Sequence, residues 1–185
     1  GILYMSMKKK VLIVSASPRR NGNSDTLCNQ FLKGAVESGH EVEKIFLKDS
    51  TINFCTGCGV CNRTHKCVQH DDMALLLDKM VNADVIVLAT PVYFYTMDGQ
   101  LKTFIDRTVP RYTEISNKEF YYILTSADTD KSMLSKTVDS IRGFTIDCLD
   151  NAMEKGIIYG VGAWNIGEIN NTPAYNQAYN MGKSL

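Results

Sequence analysis

The sequence predicts a doubly wound α/β fold with a five-stranded parallel sheet in the order 2-1-3-4-5. Three observations point there. Short apolar runs alternate with stretches of helical spacing along the chain, the pattern of a parallel sheet covered on both faces. Right-handed crossovers then narrow the topology, and five strands fit this order better than the six-stranded alternative. The length of 185 residues, with 44% apolar and 22% charged residues, suits one globular domain and excludes a disordered or collagen-like chain.

The elements run in order. Lys10–Ser15 is an apolar run ended by Ala16-Ser17-Pro18, as expected of a buried strand. From Ser24 to Ser38, Leu27, Phe31, Leu32, Ala35 and Val36 recur at helical spacing, and Gly39 stops the helix. Glu41–Leu47 mixes apolar and charged residues and reads as an outer strand. A cysteine-rich loop occupies about 53–69, and Asp71 or Asp72 caps a helix carrying Leu75, Leu76, Leu77 and Met80. Asp84–Pro91 is the clearest central strand, followed by a helix at about 97–108. Phe120–Thr125 is the fourth strand. Ser132–Lys155 reads as a long helix or a broken pair with Gly143 at the break, and Gly156–Gly162 is the fifth strand. The last helix runs from about Pro173, in its first turn, to Lys183.

Lys+Arg and Asp+Glu are 20 each, so no net basic field exists to hold nucleic acid or an anionic membrane. No apolar run approaches the ~20 residues that span a bilayer, and no signal-peptide core precedes the first strand. A cytoplasmic location is expected, with no nucleic-acid or membrane partner. Residues 1–7 read as a leader or an added remnant, and residues 8–185 as a single domain.

In such a sheet ligands bind beyond the carboxyl ends of the strands, beside the switch between strands 1 and 3. After strand 1 comes Ser17-Pro18-Arg19-Arg20-Asn21-Gly22-Asn23-Ser24-Asp25-Thr26, which opens a helix. A helix N-terminus offers free N–H groups and partial positive charge to an anion. Ser17, Ser24 and Thr26 can donate to phosphate oxygens, and Arg19 adds a charge-assisted bond. The alternative is an ordinary polar turn with Ser24 as N-cap. Neither a Gly-x-Gly-x-x-Gly fingerprint nor a P-loop occurs, so the loop suits a mononucleotide phosphate better than a dinucleotide. After strand 3, Tyr93-Phe94-Tyr95 cannot all enter one core, because adjacent side chains point apart. Either a planar ligand or a partner surface would use the surplus apolar area. Thr125-Ser126-Ala127-Asp128 would form a third wall.

Four cysteines fall within thirteen residues as C-x2-C-x2-C-x5-C: Cys55, Cys58, Cys61 and Cys67. This spacing is used by [4Fe–4S] loops, and Gly57 and Gly59 let the chain fold back. A four-thiolate zinc site is an alternative, although zinc usually takes two separated pairs. Free thiols or a disulfide are others. His65 and His70 read as solvent or cap residues, and Cys28 and Cys148 as small buried hydrophobes.

Together these segments resemble the NADPH-dependent FMN reductase branch of the flavodoxin-like superfamily, and more narrowly its iron–sulfur flavoproteins. The matching residues are Ser17-Pro18-Arg19 with Gly22-Asn23-Ser24, the four cysteines, Asp71-Asp72-Met73, Pro91-Val92-Tyr93-Phe94, and Met97 onward through Gly99-Gln100-Leu101-Lys102 and Phe104-Ile105-Asp106-Arg107. The resemblance implies that Ser17, Arg19, Asn23, Ser24 and Thr26 hold the FMN phosphate. Pro91, Val92, Tyr93 and Phe94 would hold the ribityl chain and isoalloxazine, with Thr125, Ser126 and Ala127 nearby. It further implies a homodimer or homotetramer with flavin sites at subunit interfaces. The function expected is an FMN-dependent NAD(P)H oxidoreductase passing electrons to a small-molecule or protein acceptor. The flavin would carry the chemistry, so no catalytic side chain is nominated. One alternative is an electron carrier between a [4Fe–4S] cluster and FMN; another is a zinc-stapled flavin-binding module. The cysteine pattern occurs in relatives with a cluster and in relatives without one, so it leaves the metal open.

Overall fold

The computed structural model describes residues 7–185; the expected leader, apart from Met7, lies outside the described residues. In chain order the elements are β1 (Lys10–Ser15), α1 (Asn23–Glu37), β2 (Glu41–Phe46), α2 (Cys61–Thr64), α3 (Met73–Asn82), β3 (Val85–Tyr93), β4 (Thr96–Met97), α4 (Gly99–Asp106), β5 (Glu119–Ser126), α5 (Ser135–Thr145), β6 (Met153–Val161) and α6 (Pro173–Lys183). The five long strands are parallel and lie in the order β2-β1-β3-β5-β6, the flavodoxin-like arrangement.

Alternation along each strand divides the core between two faces. Leu12, Val14, Ile86, Leu88, Phe120 and Tyr122 pack on one side with Leu76, Met80, Leu101, Phe104 and Ile141 from α3, α4 and α5. Val11, Ile13, Val85, Val87 and Ile123 pack on the other with Leu27 and Phe31 of α1 and Ala174 and Ala178 of α6.

The sheet departs from expectation in having a sixth strand. β4 pairs antiparallel with the end of β3, Val92 with Met97 and Tyr93 with Thr96. The two-residue connection, Phe94 and Tyr95, has positive φ at both positions, 48° and 69°. A type I′ hairpin demands that geometry, but Asn-Gly or Gly usually supplies it. With two aromatics in those places, no turn signal is visible in the sequence.

The expected helix over 132–155 is shorter. α5 passes straight through Gly143 and ends at Thr145, and residues 153–155 begin β6. Pairing of Glu119 with Met153 and Phe120 with Glu154 takes those residues into the sheet, which helical spacing cannot register. Cys148 lies after α5 and is exposed, not buried, whereas Cys28 is fully buried in α1.

α1 and α6 approach so closely that their contact requires glycine. A Cβ on Gly182 would stand 2.1 Å from the Phe31 carbonyl oxygen, and one on Gly34 would stand 2.1 Å from that of Tyr179. By contrast, a Cβ on Gly143 would meet nothing within 4 Å. Gly182→Ala should therefore destabilise the protein by about 1–3 kcal/mol through overpacking. Gly143→Ala should stabilise it by about 0.5–1 kcal/mol through helix propensity. Urea unfolding of the two variants beside the wild type checks both signs.

Candidate functional site

The parallel register sets the carboxyl ends of β1, β3 and β5 side by side, with Ser15 opposite Ala89 and Pro91 opposite Thr125. The segments that leave those ends are the three picked out from the sequence. A fourth, residues 162–169 after β6, joins them and was not anticipated.

The β1–α1 loop is tightly drawn. The Gly22 N–H donates to the Arg19 carbonyl at 2.9 Å, and the Ser17 hydroxyl donates to the same oxygen at 2.8 Å. A Cβ on Gly22 would meet Ser17 Oγ at 2.8 Å and Arg19 O at 2.9 Å, so the loop closes only around glycine. Gly22 itself is the N-cap of α1 and offers no side chain to its free N–H groups; Ser24 lies inside the helix. The Thr26 N–H is bonded to Gly22 O, which leaves the N–H groups of Asn23, Ser24 and Asp25 ahead of the helical ladder. The Asn23 amide is held by Ile169, whose N–H donates to Oδ1 at 3.3 Å. Its buried Nδ2 has no partner among the described residues. Two expected phosphate donors are engaged inside the loop: Ser17 with Arg19, and Thr26 Oγ1 with the Asn21 carbonyl at 3.2 Å.

Beneath this loop lies Asp25, a residue without a role in the sequence reading. It is fully buried and accepts from Ser15 Oγ at 2.8 Å, Asn21 N at 3.0 Å and Lys44 Nζ at 2.9 Å. Lys44 also donates to Asn29 Oδ1. The acid thus fixes the loop from below while Lys44 of β2 neutralises it, so the donors above keep their attraction for an anion.

The aromatic turn is distributed as adjacent positions require. Tyr93 is half-buried and Phe94 fully exposed. The chain's one tryptophan, Trp164, faces Tyr93 with centroids 6.4 Å apart. Arg19 Nη2 donates to the Trp164 carbonyl at 2.8 Å, and the guanidinium stands 5.8 Å from the indole centroid. Arg19, Tyr93 and Trp164 therefore join the first, second and fourth segments into one crevice. A lone tryptophan just past the last strand's carboxyl end was the available signal for Trp164. Burial pushes the Tyr93 hydroxyl's pKa up, the Asp98 carboxylate adds to this, and Arg19 opposes it. Thr125 is buried, Ser126 Oγ accepts from the Asp128 N–H at 3.1 Å, and Ala127 is exposed.

The cysteine loop holds the short helix α2 and is anchored by Arg107, at the C-terminus of α4. Arg107 Nη1 donates to the Asn53 carbonyl and to Asp71 Oδ2, each at 2.7 Å, and Nη2 donates to Asp71 Oδ1 at 3.0 Å. This bidentate pair holds the Asp71 carboxyl well below the usual range, at about 2. Cys55, Cys58, Cys61 and Cys67 line one cavity of about 30 Å³. Gly57 and Gly59, with φ of 69° and 76°, make the fold-back. The N–H of Gly57 points at Cys55 Sγ and that of Gln69 at Cys67 Sγ, both at 3.4 Å, and Arg107 Nη2 lies 3.6 Å from Cys67 Sγ. Burial, with the neighbouring Cys67 and Cys58, pushes the Cys61 thiol up. All six cysteines are free, and the described residues hold no group of three or more His, Cys, Asp or Glu placed for a single ion. His65, with left-handed φ, caps α2.

A roomier cavity, about 790 Å³, lies between this loop, α3 and the segment after α4, bounded by Cys67, Met73, Leu77, Arg107 and Arg111. Its arginines are already engaged, Arg107 with Asp71 and Arg111 with Asp78 and Glu114. In the strand-end loop, by contrast, the buried Asn23 Nδ2 donor has no partner among the described residues.

Among known proteins, the model of the NADPH-dependent FMN reductase family matches residues 9–138. An iron–sulfur flavoprotein of Archaeoglobus fulgidus is 43% identical over 101 residues, 55% of this chain and 46% of that protein. One of Methanocaldococcus jannaschii is 43% identical over 101 residues, 55% of this chain and 52% of that protein. The chain spans about half the length of the curated relatives it matches. Among solved structures, an NAD(P)H:quinone oxidoreductase from Methanothermobacter marburgensis superposes with a TM-score of 0.75 at 14% identity, covering 96% of this chain and 97% of that one. At that identity the likeness shows the fold. No helix of the described residues is long and apolar enough to cross a membrane.

Lys44→Met would strand the Asp25 carboxylate. The expected loss is about 3 kcal/mol, the low end for breaking a buried pair, because Lys44 keeps some contact with water. Adding Asp25→Asn to that variant should restore part of the loss in urea unfolding at pH 7. An equal loss in the double variant would mean that Lys44 does not stabilise the loop through the ion pair.

Proposed function

The chain belongs to the NADPH-dependent FMN reductase family, and from that premise we propose that it is an FMN-dependent NAD(P)H oxidoreductase acting on a small-molecule or protein electron acceptor. The observation that carries this reading is the unpartnered Asn23 amide at the N-terminus of α1. It sits in a loop where glycine lets the backbone close and three N–H groups precede the helical ladder. That donor set fits a phosphate monoester.

In this reading Asn23 Nδ2, Ser24 and Arg19 bind the phosphate, while Ser17 and Thr26 shape the loop around it. Pro91, Val92 and Tyr93 flank the ring system, with Trp164 as a second aromatic wall and Phe94 at the rim. Thr125, Ser126 and Ala127 close the far side. FMN, when bound, supplies the hydride and single-electron chemistry. The chain's residues bind it, orient it and exclude water from one face. Full exposure of Phe94 and half exposure of Tyr95 and Trp164 support a homodimer or homotetramer that covers this rim.

A second reading, electron transfer between FMN and an iron–sulfur cluster, is favoured by the cysteine loop. Four thiols border one cavity with backbone donors aimed at two of them, and the two archaeal relatives are iron–sulfur flavoproteins. The cysteines would hold the cluster, and Arg107 would hold the loop in place.

Arg19→Ala should weaken FMN by about 1.5–3 kcal/mol, the range for a hydrogen bond to a charged group. Fluorescence titration of flavin-free protein measures this; unchanged affinity rejects the phosphate assignment. Anaerobic reconstitution should give about four iron and four sulfide per chain, lost in Cys58→Ala with FMN retained. Equal trace iron in both proteins would return the cysteines to the role of loop residues. Steady NAD(P)H oxidation by the FMN-loaded protein, with an acceptor present, separates the first reading from the second.

A further inference from the structure

Asp98 stands where the aromatic hairpin rejoins the core. It is 1% exposed, follows β4 directly and caps α4, with Oδ1 accepting from the Leu101 N–H at 3.0 Å. Its own N–H donates to Thr90 Oγ1 at 3.0 Å, and that hydroxyl donates to the Pro91 carbonyl at 2.7 Å. The hairpin from Pro91 to Met97 is thus tied at both ends through Thr90 and Asp98. The other carboxyl oxygen, Oδ2, is buried without a partner among the described residues.

We infer that Asp98 is a positioning residue of the flavin-binding turn, keeping the hairpin in its binding shape through a proton held on Oδ2. The inference rests on the FMN reading above. An unpaired buried O–H costs far less than an unpaired buried carboxylate oxygen, so the closed hairpin favours the protonated form. Removing the proton leaves Oδ2 charged with no donor but water to solvate it, and water enters by opening the hairpin. Phe94 and Tyr95, both in left-handed backbone, already make the closed turn the less comfortable conformation.

The surroundings offer no substitute for the proton. Tyr93 on β3 is the titratable group that feels Asp98. On α4, Lys102 is exposed and bonded to Asp106; on α5, Lys136 sits over the Tyr95 ring at 5.4 Å; Arg19 is bonded to Trp164. None of these cations offsets burial, which pushes the Asp98 carboxyl up to about 7 against the pull of the Leu101 N–H and Thr90. Its charge therefore changes near neutral pH. If FMN prefers the protonated form, affinity is full below pH 6 and falls as pH rises through 7, approaching tenfold per unit.

The test measures FMN dissociation constants from pH 5 to 9 for wild type, Asp98→Asn and Asp98→Ser; serine keeps a helix cap if the amide fails to fold. Ionisation of the FMN phosphate itself affects all three alike, so the readout is the ratio of wild type to variant. That ratio should shift about tenfold between pH 6 and pH 8. In parallel, Trp164 fluorescence of the flavin-free proteins should show a transition near pH 7 in wild type only, because Trp164 packs on Tyr93 at the root of the hairpin. Parallel affinity profiles together with a fluorescence transition shared by the variants overturn the role of Asp98 and leave the FMN reading standing. Absence of FMN binding at every pH, with the wild-type-only transition present, overturns the FMN reading and leaves Asp98 as the residue that sets the hairpin.

Discussion

Pairing of β1 with β2 on one edge and β3 on the other is the constraint on which the crevice depends. The chain leaving β1 runs into α1 on one face and the chain leaving β3 runs into α4 on the other, as crossovers of one hand require when they run in opposite directions along the sheet. The two loops separate at that point and leave a gap beyond the carboxyl ends. Buried Val and Ile residues on both sides hold the central strands in register, so the gap's position is set by the core and not by the loops themselves.

The loops then need anchors of another kind, because few of their side chains are large and apolar. Two buried ion pairs supply them. Asp25 with Lys44 fixes the β1–α1 loop from beneath, and Arg107 with Asp71 ties the cysteine loop to the end of α4. Taking such charges out of water is costly, and each pair is offset by additional bonds: Ser15 and Asn21 at Asp25, Asn53 at Arg107. What they confer is a single loop conformation, since breaking either pair would leave a buried charge without its counter-ion.

The same distinction explains which features are legible in the sequence. β1 and α6 match expectation from first residue to last, because an unbroken apolar run and a proline-started helix are local signals. The β1–α1 loop and the aromatic turn are legible as strand-end segments because each lies directly after a strand's carboxyl end. The residues that organise them were not. Asp25 and Lys44 meet across 19 positions, Asn23 and Ile169 across 146, and Arg19 and Trp164 across 145. No spacing rule connects them. β4 was missed for a different reason: its turn uses two aromatics in a backbone conformation that usually selects glycine or asparagine.

α4 joins the two parts of the candidate site. Its N-cap is Asp98, under the aromatic hairpin, and its C-cap is Arg107, the anchor of the cysteine loop. With eight residues it is roughly 12 Å long. Leu101, Phe104 and Ile105 bury its inner face against the sheet, so it acts as a short rigid strut. The helix dipole favours a positive group at Arg107 and a negative one at Asp98, yet burial opposes charge at Asp98 more strongly than the Leu101 N–H and Thr90 support it. The two caps are therefore unlike in kind. Arg107 carries a permanent charge in a bidentate pair with Asp71, which suits a fixed anchor, while Asp98 sits near the balance between charged and neutral, which suits a point that yields.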